Sequence, residues 1–165
     1  MKAAITVCDY DPRWPEQFEK LRTQIAGVLV ELAASIEHIG STAVPGLAAK
    51  PIIDIDVLLR SEADLPAAIQ RLASIGYSHL GDLGIAGREA FQAPVGDIPH
   101  HLYVCLREDG EYRRHVALRD HLRTHPKDAH AYAALKIELS RKFGNDREAY
   151  TGAKTNFITN VLRRI

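Results

Sequence analysis

The sequence predicts an α/β fold, with strands and helices alternating over the first two thirds and a helical C-terminal segment. Three features of the chain carry this expectation. Between Pro15 and about Ala34, the apolar positions Phe18, Leu21, Ile25, Val28, Leu29 and Leu32 recur at three- and four-residue steps, the period of an amphipathic helix. Pro51–Leu59 is a near-continuous run of β-branched and aliphatic residues, as expected of a strand buried on both faces. Beyond residue 110, three stretches of helical spacing follow one another, divided by His125-Pro126 and Gly144-Asn145. At 165 residues the chain is long enough for one domain with a sizeable core, and 1–165 is read as a single unit.

The elements follow in order. Residues 4–10 read as a short strand or extended arm, and Asp11-Pro12-Arg13-Trp14-Pro15 as a turn into the first helix, anchored by Tyr10, Trp14 and Phe18. Ile36–Ile39 is the first central strand. Gly40-Ser41 is a tight polar turn, Thr42 to Leu47 contains a helical turn, and Pro51–Leu59 is the second strand. Ser61–Ile75 is a helix stopped by Gly76. Short strands are expected at Tyr77–Leu80 and Arg88–Gln92. The glycine-rich turn between them lacks the spacing of a dinucleotide loop. His100–Leu106 is a strand with Leu102, Val104 and Leu106 on one face and His101, Tyr103 and Cys105 on the other. Helices at Glu111–His121, Lys127–Phe143 and Arg147–Leu162 complete the chain.

Composition narrows the function classes. Formal net charge is zero, so nucleic acid is not the expected partner. No 18-residue apolar run is present, which excludes a transmembrane helix by sequence, and Met1–Val7 is too short and too soon followed by charge for a signal peptide. Cys8 and Cys105 lie far apart without a CxxC pattern, fitting reduced thiols in a cytoplasmic protein.

The second strand carries the chemistry. Asp54 and Asp56 sit in an apolar strand where a carboxylate costs free energy. Two residues apart, they share a face, about 6–7 Å from one another. Paired carboxylates hold hard divalent cations. The turn upstream, Gly40-Ser41-Thr42, offers backbone N–H groups and hydroxyls that suit a phosphate. Lys50 lies just before the Asp strand. On the C-terminal helices Tyr132-Lys136 and Tyr150-Lys154 are both i, i+4 pairs, so each pair shares a helix face. Two tyrosines and two lysines at one groove suggest base or ribose packing and phosphate neutralisation; the alternative is amphipathic packing with extended lysine stems. A zinc hydrolase site at His100, His101 and Cys105 is disfavoured, since adjacent strand residues face opposite sides.

A Gly-Ser turn followed by Asp-x-Asp on the next strand resembles the nucleotidyltransferase superfamily. The longer string from His38 to Asp56, with Pro45-Gly46 and Lys50-Pro51, is similar to the GrpB family within it. The resemblance extends to the aromatic and proline pattern before the first helix and to both Tyr-x-x-x-Lys pairs, and covers most of the chain. It implies a mixed sheet flanked by helices, and a metal-dependent nucleotidyltransferase that moves a nucleotidyl group from a nucleoside triphosphate to a small-molecule acceptor. Asp54 and Asp56 are the implied catalytic and metal-binding residues, with Mg²⁺ or Mn²⁺ as cofactor. Gly40, Ser41, Thr42, Lys50, Lys136 and Lys154 are the implied phosphate contacts. Arg119, in an Arg-Asp-x-Leu-Arg string, adds a triphosphate clamp. The superfamily's third carboxylate has no counterpart here, and His101 is the substitute metal ligand by position. The alternative is a nucleotide- or coenzyme A-related binding or adaptor module, since family relatives occur fused to dephospho-CoA kinase.

Overall fold

A five-stranded mixed sheet forms the centre of the molecule in a computed structural model, which describes residues 4–165. The first three residues of the Met1–Val7 segment lie outside the described residues. The strands are β1 (Ala33–Ile39), β2 (Ile53–Leu59), β3 (Ser78–Gly81), β4 (Arg88–Gln92) and β5 (His100–Cys105), in the spatial order β1-β2-β5-β4-β3. Only the β2–β5 pair is parallel. The crossover between those two strands contains α2 (Leu65–Ala73), the kind of long connection a parallel pair requires.

One sheet face is the main core. Ile53, Ile55 and Val57 of β2 and Leu102 and Val104 of β5 are fully buried there. They belong to one cluster with Phe18, Leu21 and Ile25 of α1 (Trp14–Val28) and Ala68 and Leu72 of α2. Each such side chain contributes about 1.5–3 kcal/mol by leaving water. Tyr10 meets Trp14 edge-on at 5.3 Å and anchors the start of α1. The extended arm pairs with the chain just before β2, through hydrogen bonds between Cys8 and Ala49 in both directions.

The sequence periodicity overran α1 by half a dozen residues. The helix ends at Val28, and Leu29 to Leu32 form a turn in which the Leu32 N–H donates to the Leu29 carbonyl. Leu29 and Leu32 keep helical spacing because the turn buries both, whereas Val30 stands in solvent. Strand β1 therefore starts at Ala33, three residues earlier than expected. The segment after β2 is likewise divided, into a 3-10 turn (Glu62–Asp64) and the shorter α2.

The other sheet face is covered by the C-terminal helices α3 (Glu111–Thr124), α4 (Pro126–Lys142) and α5 (Arg147–Leu162). A second cluster, Val44, Leu47, Leu122 and Tyr132 with Phe157 and Ile158, fixes the loop after Ser41 against them. Among the described residues, no helix is long and apolar enough to cross a membrane.

Candidate nucleotide site

Register places the polar residues. Asp54 pairs with Ile39 on one side and His101 on the other, and Asp56 pairs with Glu37 and Tyr103. Paired residues share a face, so Asp54, Asp56, His101 and Tyr103 lie together on the face opposite the main core. The sequence expectation for Asp54 and Asp56 holds to that extent, but their surroundings differ. Asp54 is 29% exposed at the cleft, and its Oδ1 accepts a hydrogen bond from His101 Nδ1 at 2.9 Å. Asp56 is 0% exposed. Its Oδ2 accepts from His115 Nδ1 of α3 at 2.7 Å, and its Oδ1 has no partner among the described residues. Burial pushes the Asp56 carboxyl above its ordinary value, against the opposing pull of His115. For His115, burial favours the neutral ring, but the Asp56 carboxylate outweighs it and raises the imidazole.

The turn between β1 and β2 is shaped by Gly40 at φ +74° and ψ −174°, a conformation that favours glycine. A Cβ at this position would meet Asp54 Oδ2 at 2.5 Å. The turn thus passes within contact distance of the carboxylate because it carries no side chain there. Thr42 is buried and its Oγ1 lies 2.9 Å from His38 Nε2. Burial depresses the His38 pKa to about 4, so the ring is neutral at pH 7, stacked on Phe18 with centroids 4.7 Å apart. Core packing thereby fixes the backbone of the Ser41–Ala43 3-10 turn.

The helices supply cations. Lys136 is only 3% exposed. Its Nζ donates to Ser41 Oγ at 2.8 Å and to the Ala48 carbonyl, and sits 4.6 Å from the Tyr132 ring centre. Lys154 Nζ and Lys50 Nζ lie 4.6 and 4.4 Å from the Tyr150 ring centre. Burial lowers the Lys136 pKa to about 7, with Lys154 adding to the effect, and lowers Lys154 to about 8, with Lys50 adding. Lys50 is lowered in the same way. Ser41, Lys50, Asp54, His101, Lys136 and Lys154 therefore line one cleft of about 230 Å³, together with Arg147 and Tyr103.

Arg119 does not reach this cleft. Its Nη1 donates to Glu37 Oε2 at 2.6 Å and to the His38 carbonyl at 3.0 Å, and its Nε donates to Asp120 at 2.8 Å. The guanidinium ties α3 to β1, which occupies the donors a phosphate clamp would use. His100 points to the core face, where it bonds Tyr77 Oη at 2.7 Å. Two residues escaped the sequence reading. Arg147 is three residues before Tyr150 and seven before Lys154, a same-face spacing that does announce it. Nothing local distinguishes His115; its partner is 59 positions away.

Two carboxylate donors suit a hard cation such as Mg²⁺, which takes one or two protein carboxylates and fills its remaining positions with water and substrate oxygens. The unpartnered Asp56 Oδ1 and the partly exposed Asp54 fit such an ion. His101 has Nε2 left for a ligand, its Nδ1 being held by Asp54. Among the described residues, no group of three or more His, Cys, Asp or Glu side chains converges as a preformed metal cage.

Comparison with known proteins places this geometry in context. A UPF0157 protein of Halalkalibacterium halodurans is 34% identical over 98% of this chain and 83% of its own length. The crystal structure of the conserved protein GrpB from Enterococcus faecalis superimposes with a TM-score of 0.80 at 30% identity, over 95% of this chain and 99% of that one. The Cid1 poly(U) polymerase with MgGTP bound matches 85% of this chain and 43% of its own, at 16% identity and a TM-score of 0.53, which shows a shared nucleotidyltransferase-like fold. A dephospho-CoA kinase of Mycolicibacterium paratuberculosis is 24% identical over 99% of this chain, which spans 46% of that protein. The family model described as GrpB protein matches residues 4–164, and the chain belongs to the GrpB family.

Proposed function

We propose that the cleft binds a nucleoside triphosphate with Mg²⁺ or Mn²⁺ and transfers its nucleotidyl group to a small-molecule acceptor. The observation that carries this reading is the meeting of Lys136 Nζ with Ser41 Oγ at the Gly40–Ser41 turn, which faces Asp54. Residues from three separate parts of the chain converge there on an anion-binding arrangement beside a carboxylate. In the reaction, an acceptor hydroxyl attacks the α-phosphorus in line and gives up its proton to water, the α–β bridging bond breaks, and pyrophosphate leaves with the bonding electron pair. Bound Mg²⁺ supplies charge neutralisation at the phosphates. The chain's own residues do the rest. Asp54 and Asp56 would hold the ion, and His101 keeps the Asp54 carboxylate in one orientation through its Nδ1. Ser41 and Thr42 present the turn to the phosphate tail. Lys136, Lys154 and Lys50 balance its charge in a half-buried setting, where each charge–charge contact counts for more than in water.

The full burial of Asp56 favours a second reading, a nucleotide- or coenzyme A-related binding module without turnover. The two are separated by thermal unfolding with each nucleoside triphosphate, with and without Mg²⁺ or Mn²⁺, followed by a pyrophosphate-release assay over a panel of acceptors. A metal-dependent rise in midpoint together with release supports transfer. A rise with no release toward any acceptor supports the binding module.

Lys136 is the residue where binding and stability separate. In a Lys136→Met protein the midpoint of thermal unfolding is expected to stay within a few degrees of the parent, because relief of the buried ammonium's desolvation offsets the donor lost to Ser41 Oγ and the Ala48 carbonyl. Triphosphate affinity is expected to drop by roughly 10- to 100-fold, the equivalent of one charge-assisted contact. A thermal melt checks the first and calorimetric titration of the folded variant the second, and undiminished affinity would remove Lys136 from the site.

Binding should also depend on pH. Lys136 titrates near 7 in the folded chain and near 10.5 when unfolded. Between those values the unfolded chain holds the extra proton, so the ligand-free protein gains stability as pH rises. A bound phosphate chain favours the protonated amine, so affinity runs the other way. It is expected to fall roughly 10- to 100-fold from pH 7 to 9, as Lys136 near 7 and Lys154 near 8 lose their protons. Dissociation constants measured across that range would show no slope if these amines do not meet the phosphates.

A further inference from the structure

The tyrosines at and beside the cleft carry cations on their rings. Tyr150 is 1% exposed, and both Lys50 and Lys154 place an ammonium over its ring, at 4.4 and 4.6 Å. Tyr132 is 5% exposed; Lys136 sits over it at 4.6 Å and Phe157 stacks parallel to it at 5.1 Å, 7° from coplanar. The Tyr103 ring carries the Arg88 guanidinium at 4.3 Å. A nucleobase gains its stacking energy only on an open aromatic face. These rings are engaged otherwise: their π-faces attract the cations. The two i, i+4 pairs thus act as ammonium mounts, each tyrosine fixing the lysine one turn along its helix.

Size and charge agree. The cleft, at about 230 Å³, is smaller than the roughly 300–1,000 Å³ typical of pockets that enclose a drug-sized organic ligand. Lys50, Lys136, Lys154 and Arg147 line it against the single carboxylate of Asp54. A compact, multiply charged anion matches that lining; a flat heterocycle does not.

We infer that this cleft recognises the phosphate chain of its ligand and not the base, so that inorganic tripolyphosphate is a ligand in its own right and the nucleoside triphosphates bind without base selection. This rests on the cleft being the phosphate site proposed above. The two ideas fail differently.

The test is calorimetric titration of the full chain with inorganic phosphate, pyrophosphate, tripolyphosphate, adenosine, ATP, GTP, CTP and UTP, each with Mg²⁺ and with a chelator. The expected result is that tripolyphosphate and all four nucleotides bind within about threefold of one another. Inorganic phosphate should bind at least 100-fold more weakly, and adenosine should not displace tripolyphosphate. One nucleotide binding tenfold or more tightly than the others, or than tripolyphosphate, would overturn the inference while leaving the nucleotide site standing, and would point to the half-exposed His101 ring as the base contact. Absence of binding by every phosphate compound would overturn both. A Tyr150→Leu protein adds an internal check. Loss of an ammonium mount weakens ATP and tripolyphosphate alike, whereas loss of a base platform weakens ATP alone.

Discussion

An Asp54→Asn protein is expected to unfold within a few degrees of the parent and to lose metal-dependent nucleotide binding and transfer by roughly 100-fold or more. Asp54 is part-exposed, and its one hydrogen bond, from His101, survives on the asparagine carbonyl oxygen. The local cost to stability is therefore small, within about 1 kcal/mol. The charge is what matters at this position. Asp54 is the carboxylate exposed to the cleft, whereas Asp56 is buried and has its Oδ2 engaged by His115, leaving Oδ1 as its one open donor atom. Neutral asparagine is a poor ligand for a hard divalent ion. The measurement is the Mg²⁺-dependent shift of the unfolding midpoint in saturating nucleotide, compared between parent and variant. An unchanged shift would take Asp54 out of the metal site and with it the proposed transfer chemistry.

Gly40→Ala is expected to strike both fold and site. The backbone at φ +74° and ψ −174° costs an L-residue about 1–3 kcal/mol. The new methyl also lands 2.5 Å from Asp54 Oδ2, well inside van der Waals contact, so turn or carboxylate must move. Overpacking of this kind adds about 1–3 kcal/mol. A combined loss of roughly 2–6 kcal/mol corresponds to a urea midpoint lowered by about 1–3 M. Gly46→Ala is the matched control: its φ is also positive, at +79°, but a Cβ there meets nothing within 4 Å. It should show the backbone cost without loss of nucleotide binding. Equal effects at both positions would mean that the close approach of Gly40 to Asp54 has no consequence.

Much of the fold is local and therefore readable. Ile53, Ile55 and Val57 alternate with Asp54 and Asp56, and the period of two alone places the carboxylates away from the main core. His100 and His101 had to face opposite ways, and they do, one toward Tyr77 and the other toward Asp54. The Tyr-x-x-x-Lys spacing determined that Lys136 lies over Tyr132 and Lys154 over Tyr150. Where the periodicity misled, at the end of α1, Leu29 and Leu32 are buried by a turn as fully as by a helix, and spacing does not distinguish the two.

What the chain determined by itself was the set of cleft residues that strand and helix periods can align: the glycine turn, the Asp strand and the two lysine-bearing helix faces. Only the tertiary structure decided how those pieces are used. The position of α3 against the sheet buries Asp56 under His115, 59 residues on, and draws Arg119 onto Glu37, 82 residues back, instead of into the cleft. It is packing, too, that brings Lys50 over the Tyr150 ring and Lys136 to Ser41, 95 residues apart. Periodicity reports which way a side chain leaves its own backbone. Whether that side chain is exposed, neutralised or occupied depends on what arrives from elsewhere in the chain, and local sequence does not encode that.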